Sequence, residues 1–201
     1  MKIFELSAGG YFLHIDYDKN VTELMKREMP RRKGELWGTV TLKTIKGIVK
    51  KGTPLGDCPR YGATRLIVSE KLKGLIQSFA DDEIEFLPVE VDGQPGYFYM
   101  NVLLILDALD LEKSEVKRFP SSGKIMYVIQ AQYHDAIIDE HHIFILPNYH
   151  GVYISEGLKK HLEDNGVLGT TYRDTSVRVE NPFEEVFNKP KKEKPKRGML
   201  H

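Results

Sequence analysis

Apolar and polar positions along this chain follow two periods, and the change from one to the other occurs twice in closely similar sequence. Residues 66–76 read LIVSEKLKGLI and residues 152–162 read VYISEGLKKHL. In each, a β-branched run of strand character ends at a Ser-Glu pair, after which apolar residues recur at helical spacing. A serine at that point caps a helix, because its side-chain oxygen accepts a hydrogen bond from a free amide of the first turn. A glutamate in the same turn is favoured by the helix dipole. Ser69 and Ser155 are therefore read as caps, and the chain is expected to contain a duplicated strand-Ser-Glu-helix unit. In the first copy Leu72, Leu75, Ile76 and Phe79 form one apolar stripe. In the second, Leu158 and Leu162 are the buried pair, His161 lies at the edge of the stripe, and Gly166 closes the helix.

The remaining pattern is less regular. Residues 2–6 and 11–16 read as the strands of a hairpin turning through Ala8, Gly9 and Gly10. Residues 21–29 suggest a short helix capped by Asn20 and stopped at Pro30. Residues 37–45 and 84–91 read as strands, the latter with an edge-type Pro88. Residues 97–111 suggest a strand running into a short helix, and 124–132, 143–146 and 168–172 suggest further strands. Asp81 and Asp82 stop the first repeat helix. Strands and helices interleave without a regular βαβ period, so the expected class is α+β with mixed or antiparallel sheets. The expected organisation is an N-terminal β-rich region (1–60) packed on a main α+β domain (61–188). The last segment (189–201), KPKKEKPKRGMLH, has no apolar period and reads as a disordered basic tail.

Composition narrows the function classes. A chain of 201 residues with 41% apolar and 29% charged positions can bury a sizeable core without staples. The single cysteine, Cys58, excludes an intrachain disulfide and fits a reducing compartment. Its setting, GDCPRYG, reads as an ordinary loop. The most apolar run, residues 102–106, is too short to cross a bilayer, and the start of the chain lacks the apolar core of a secretory signal. The expectation is a cytoplasmic protein with no membrane association. Net charge is zero, but it is the sum of +5 over residues 1–51, −10 over 52–188 and +5 over 189–201. An acidic middle disfavours nucleic acid and favours a basic partner.

The residue types able to carry chemistry cluster at His134, Asp135, Asp139, Glu140, His141 and His142. Imidazoles and carboxylates together suit zinc or iron, or acid-base catalysis. Adjacent His141 and His142 leading into a strand point to opposite faces, however, and could not share one ion. Ser69 and Ser155 sit at strand-helix turns where a nucleophile could be placed, but their duplication with the same neighbours favours capping. No phosphate loop, dinucleotide fingerprint or G-x-S-x-G elbow occurs in the sequence. The basic stretches 26–33 and 43–51 and the tail could touch phosphate, yet they are short and carry few aromatics. No catalytic, cofactor-binding or metal-binding residue is assigned. The partner-binding candidates are the densest acidic run, Asp81, Asp82, Glu83 and Glu85, and a second patch, Asp139 and Glu140.

Several motifs occur in a recognisable order. VSEKLKGLIQ is followed by EIEFLPVEV and then by YFYMNVLLILDALDLEKS, which carries Asn101, Asp107, Asp110 and Ser114. HIFIL and ISEGLKKHLEDNGVLGTTY come later. This succession, over residues 64–172, resembles the immunity protein eleven family of bacterial polymorphic toxin systems, formerly a domain of unknown function. Ile145 departs from the pattern, which has a basic residue there. The resemblance implies a protein that is not an enzyme, needs no cofactor, and neutralises a cognate toxin by stoichiometric binding. A basic, nuclease-like toxin would suit the acidic middle region. Asn101, Asp107, Asp110 and Ser114 read as structural, satisfying backbone groups. The competing readings are a metal-dependent hydrolase built on Asp139 and His141, and a peripheral nucleic-acid binder using Arg31, Arg32, Lys33 and the tail.

Overall fold

A computed structural model describes residues 1–9, 14–15, 42–45, 47–48, 55–61, 65–91, 94–147, 149 and 151–179. The strands in chain order are β1 (Ile3–Ala8), β2 (His14–Ile15), β3 (Leu42–Ile45), β4 (Gly47–Ile48), β5 (Arg60–Tyr61), β6 (Arg65–Ser69), β7 (Ile84–Val91), β8 (Gln94–Val102), β9 (Glu115–Arg118), β10 (Ile125–Gln130), β11 (Ile143–Ile145), β12 (Val152–Ser155) and β13 (Thr170–Asp174). The helices are α1 (Glu70–Ala80), the single turn α2 (Asp135–Ile138) and α3 (Glu156–Asp164), and a 3-10 turn, Asp81–Glu83, follows α1. The class is α+β, as the irregular interleaving predicts.

Among the described residues these strands make a four-stranded sheet in the order β11-β12-β1-β13, a seven-stranded sheet in the order β3-β7-β8-β6-β5-β2-β4, and the ribbon β9-β10. The four-stranded sheet is antiparallel throughout and is covered on both faces. On one face Phe4, Leu6, Ile143, Ile145, Val152 and Ile154 pack with Leu72 and Ile76 of α1 and Leu158 and Leu162 of α3. The same core takes Leu66, Val68, Ile84, Met100 and Val102 from the seven-stranded sheet. On the other face Ile3, Phe144 and Tyr153 enter a second core with Ala108, Leu109, Val128 and Ile138. Period-two alternation thus feeds two cores from one sheet.

That double burial explains why the expected hairpin between residues 2–6 and 11–16 does not form. β1 is apolar on both faces, with Ile3, Phe4 and Leu6 all buried, and such a strand belongs in the middle of a covered sheet. It pairs with β12 on one side and β13 on the other. The His14–Ile15 fragment pairs instead with β4 and β5. The amide of Gly9 donates to the carbonyl of Gly169 at 2.6 Å, so the chain leaves β1 beside the residue that leads into β13.

The short helix expected at the end of residues 97–111 is also absent. After β8 the chain runs extended between the cores, with Ile105 packed against the first and Leu104, Leu106, Ala108 and Leu109 in or against the second. Ile105 bridges Ile145 in parallel, and backbone bonds join Leu106 N to Ile145 O and Ile145 N to Leu104 O, each at 3.0 Å. An unbroken apolar run here reflects burial on two sides, which periodicity cannot distinguish from a helix. Pro88 lies within a paired strand. It stands opposite Phe98 of β8, and among the described residues the pairing with β3 begins at Val89. The expected helix at 21–29, the first part of the expected strand at 37–45 and the tail at 189–201 lie outside the described residues.

Candidate functional site

Both repeat serines act as caps. Ser69 Oγ accepts from Leu72 N and Ser155 Oγ accepts from Leu158 N, each at 3.2 Å. Each serine is also held by a residue outside its own unit. Ser69 N donates to Asp57 O at 2.8 Å and its hydroxyl donates to Asp57 Oδ1 at 2.7 Å. Ser155 N donates to His142 O at 3.0 Å, and its Oγ lies 2.9 Å from His142 Nδ1. Each hydroxyl thus makes two polar contacts, one of them the cap. Ser155 is fully buried and Ser69 half-buried.

The two helices run antiparallel. At one end Lys71 Nζ donates to Gly166 O at 2.8 Å, and Asp57 Oδ2 accepts from Leu168 N at 2.9 Å. Gly166 adopts φ +61°, the left-handed conformation a helix C-terminus uses and glycine takes without strain. At the other end the Phe79 ring packs edge-on to His142 and tilted against His161. The turn Asp81–Glu83 follows directly, so the first acidic run stands where α1 ends and α3 begins.

The second acidic patch arrives at the same place. His141 Nδ1 is 2.7 Å from Glu83 Oε1, which ties the turn containing Asp139 and Glu140 to the turn containing Asp81 and Asp82. All four of those carboxylates are exposed. Asp81 accepts from Gln77 Nε2 at 2.9 Å. Glu83 is mostly covered, and its Oε2 is buried with no hydrogen-bond partner among the described residues. Glu85 is placed differently. It is half-buried opposite Asn101 in the β7–β8 pair and accepts from Asn101 Nδ2 at 2.9 Å. The structure therefore joins Asp81, Asp82, Glu83, Asp139 and Glu140 into one acidic edge and turns Glu85 toward the sheet. Sequence reasoning named the two patches separately and read His141 only as a metal or acid-base candidate. The link between them spans 58 positions, and no local signal announces it.

The histidine pair does not converge, since His141 engages Glu83 while His142 engages Ser155. Among the described residues no group of three or more His, Cys, Asp or Glu side chains is arranged to hold a metal ion. Cys58 is fully buried, and burial, reinforced by the charge of Asp57, pushes its thiol up to about 12. A thiol so held is a packing residue.

Two other polar clusters are conspicuous. Across the four-stranded sheet Phe144, Tyr153, Glu5 and Arg173 stand in register, with Arg173 Nε donating to Glu5 Oε2 at 3.0 Å. Tyr133, Tyr149 and Tyr153 pack around this pair, and burial raises all three hydroxyls above their ordinary range, so they stay protonated. Gly151 is required here, since a Cβ would lie 2.7 Å from Tyr149 Cε1 and 2.8 Å from Glu5 Oε1. The cluster is a closed polar seam in the core. The second is an open depression of about 500 Å³ lined by Asp107, Asp110, Lys113 and His134 among others. Asp110 Oδ1 accepts from the amides of Glu112 and Lys113 at 3.1 and 3.2 Å. Ser114 Oγ accepts from Gln132 N at 2.9 Å. Asp110 and Ser114 thus satisfy backbone groups, as expected of them, whereas the Asn101 amide donates to the Glu85 side chain.

No described helix is long and apolar enough to cross a membrane. No curated protein matches the sequence. A family model does, over residues 14–177, and it extends well to the N-terminal side of the ordered motifs. It spans the acidic edge, both capped helices and most of the sheets that hold them, and by that match the chain belongs to the immunity protein family (Imm11).

Proposed function

We propose that this protein neutralises a cognate toxin in the cytoplasm by stoichiometric protein-protein binding, with no catalytic step of its own, and that the acidic edge is the contact surface. One observation carries the choice of surface. The Glu83–His141 contact draws two acidic turns, distant in sequence, onto one exposed edge. An edge of one sign attracts a basic partner, speeds encounter and sets register. Asp81, Asp82, Asp139 and Glu140 supply the exposed charges, Glu83 anchors them, and Glu85 stands behind them on β7. A basic, nuclease-like toxin is the partner whose charge fits. Membership of an immunity family supports the neutralising role.

The test has two arms. Co-expression with the toxin encoded beside this gene should restore growth to poisoned cells; continued killing would reject neutralisation. Binding of the purified toxin should weaken roughly tenfold or more in the variant D81K/D82K/D139K/E140K. Unchanged affinity would reject the acidic edge while leaving the neutralising role intact.

A further inference from the structure

The cations of this protein are unevenly satisfied. Lys2, Lys71, Lys73, Lys113, Lys159, Lys160, Arg173 and Arg178 each face a carboxylate at ion-pair distance. Among the described residues whose side chains are placed, the Lys and Arg residues without such a partner are Lys117, Arg118 and Lys124. All three lie at the free end of the β9–β10 ribbon, and residues 116–134 hold no acidic residue. A basic tip therefore stands in a region, 52–188, whose net charge is −10.

The tip is preorganised. Phe119 N donates to Lys124 O at 2.9 Å, Gly123 N donates to Phe119 O at 2.9 Å, and Arg118 Nη1 donates to Gly123 O at 2.9 Å. These bonds fix the turn and leave Phe119 44% exposed at its end. An exposed aromatic side chain on a fixed turn beside cations is the composition of an interface anchor, because the backbone that carries it has little freedom to lose on binding.

We propose that this tip docks on the acidic edge of a second copy of the chain, so that the protein self-associates through unlike surfaces. The argument is charge complementarity between two sets on the same molecule. Lys117, Arg118 and Lys124 lack carboxylate partners among the described residues. Asp82, Asp139 and Glu140, exposed on the acidic edge, lack cationic partners among the described residues. A second copy supplies each set with the other, and Phe119 gives the contact an apolar centre. The association does not depend on the toxin reading, although both place a partner on the same edge.

Sedimentation velocity of the full chain tests this. Expected is a concentration-dependent rise in mean mass at low salt that is lost at high salt. K117E/R118E/K124E should weaken association about tenfold, as should D82K/D139K/E140K, and an equimolar mixture of the two should associate again. F119S, which changes no charge, should weaken it too, and this separates a shaped contact from general attraction between oppositely charged variants. All these positions are exposed or half-exposed, and an unchanged thermal midpoint would show that each variant is folded. A wild-type chain that stays monomeric at low salt up to millimolar concentration overturns the proposal. Association that ignores salt, or that survives both K117E/R118E/K124E and F119S, overturns it equally.

Discussion

The starts of α1 and α3 are built alike at the cap and differently behind it. Ser69 is backed by Asp57, and Ser155 by His142. Asp57 reaches further than its serine. Its backbone amide donates to Leu168 O at 2.8 Å, its Oδ2 accepts from Leu168 N, and Lys71 stands 3.9 Å away. It therefore fastens the start of α1 to the segment that leaves α3. His142 joins the start of α3 to the strand lead-in beside His141, and meets Phe79 edge-on. One clamp is a mostly buried carboxylate satisfying several donors; the other is a ring with one polar contact among the described residues. The same local signal is thus wired into the tertiary structure in two ways, and only the His142 side adjoins the acidic edge.

The largest expected effect is one the two regions share. Leu72 and Leu158 are both fully buried, so L72A and L158A should each cost about 3 kcal/mol in urea unfolding. A difference beyond about 1 kcal/mol would mean that one helix sits in a core better able to collapse. The clamps should then separate the regions. D57A leaves several donors without their acceptor and should cost about 2–3 kcal/mol, whereas H142A should cost about 1 kcal/mol. The reverse order would break the comparison. Smaller still are the caps, where S69A and S155A should each cost about 1 kcal/mol. A double-mutant cycle between Ser69 and Asp57 should return a coupling energy, because the two share a hydrogen bond.

A third capped turn extends the comparison to acid. The Lys113 hydrogen bond to the Asp110 side chain holds that carboxyl below its ordinary value of 3.8, against the opposing effect of burial. Its contribution is therefore present above that value and is lost as pH falls through the lowered one. D110N should flatten the acid limb of stability against pH and leave the neutral limb parallel to wild type. The smallest expected effect is at Cys58. A thiol pushed up to about 12 and fully buried should not react with a disulfide reagent in the folded protein, and should react once it is unfolded. Prompt labelling without unfolding would show that the Asp57 segment opens locally.

The parts of the fold legible in the sequence are those with local causes. Both caps, the stripe of α1, the stop at Asp81 and the left-handed Gly166 follow from contacts three or four residues apart. Strand β7 is also read to its observed bounds, Ile84–Val91. The hairpin from residues 2–6 was misread because its glycine turn gives a local signal, while the true partners of β1 lie near the other end of the described chain. The helix expected at the end of 97–111 does not form because an apolar segment clamped between two cores has the composition of a helix and the path of a strand. For the candidate site, the acidic runs were visible as composition. Their union through Glu83 and His141, and the diversion of Glu85 to Asn101, were not.

What the sequence by itself determined is where helices begin and end, which residues are apolar enough to be buried, and which family the ordered motifs resemble. These depend on side-chain chemistry at short range. Only the tertiary structure decided that Glu5 faces Arg173, that His142 rather than an acid backs the second cap, and that two acidic turns form one edge. Each of those is a contact between separate elements, 13 residues apart for His142 and Ser155 and 168 for Glu5 and Arg173. The Glu5–Arg173 contact exists because β1, buried on both faces, lies between two partner strands, which sets residues 3–8 beside residues 152–155 and 170–174.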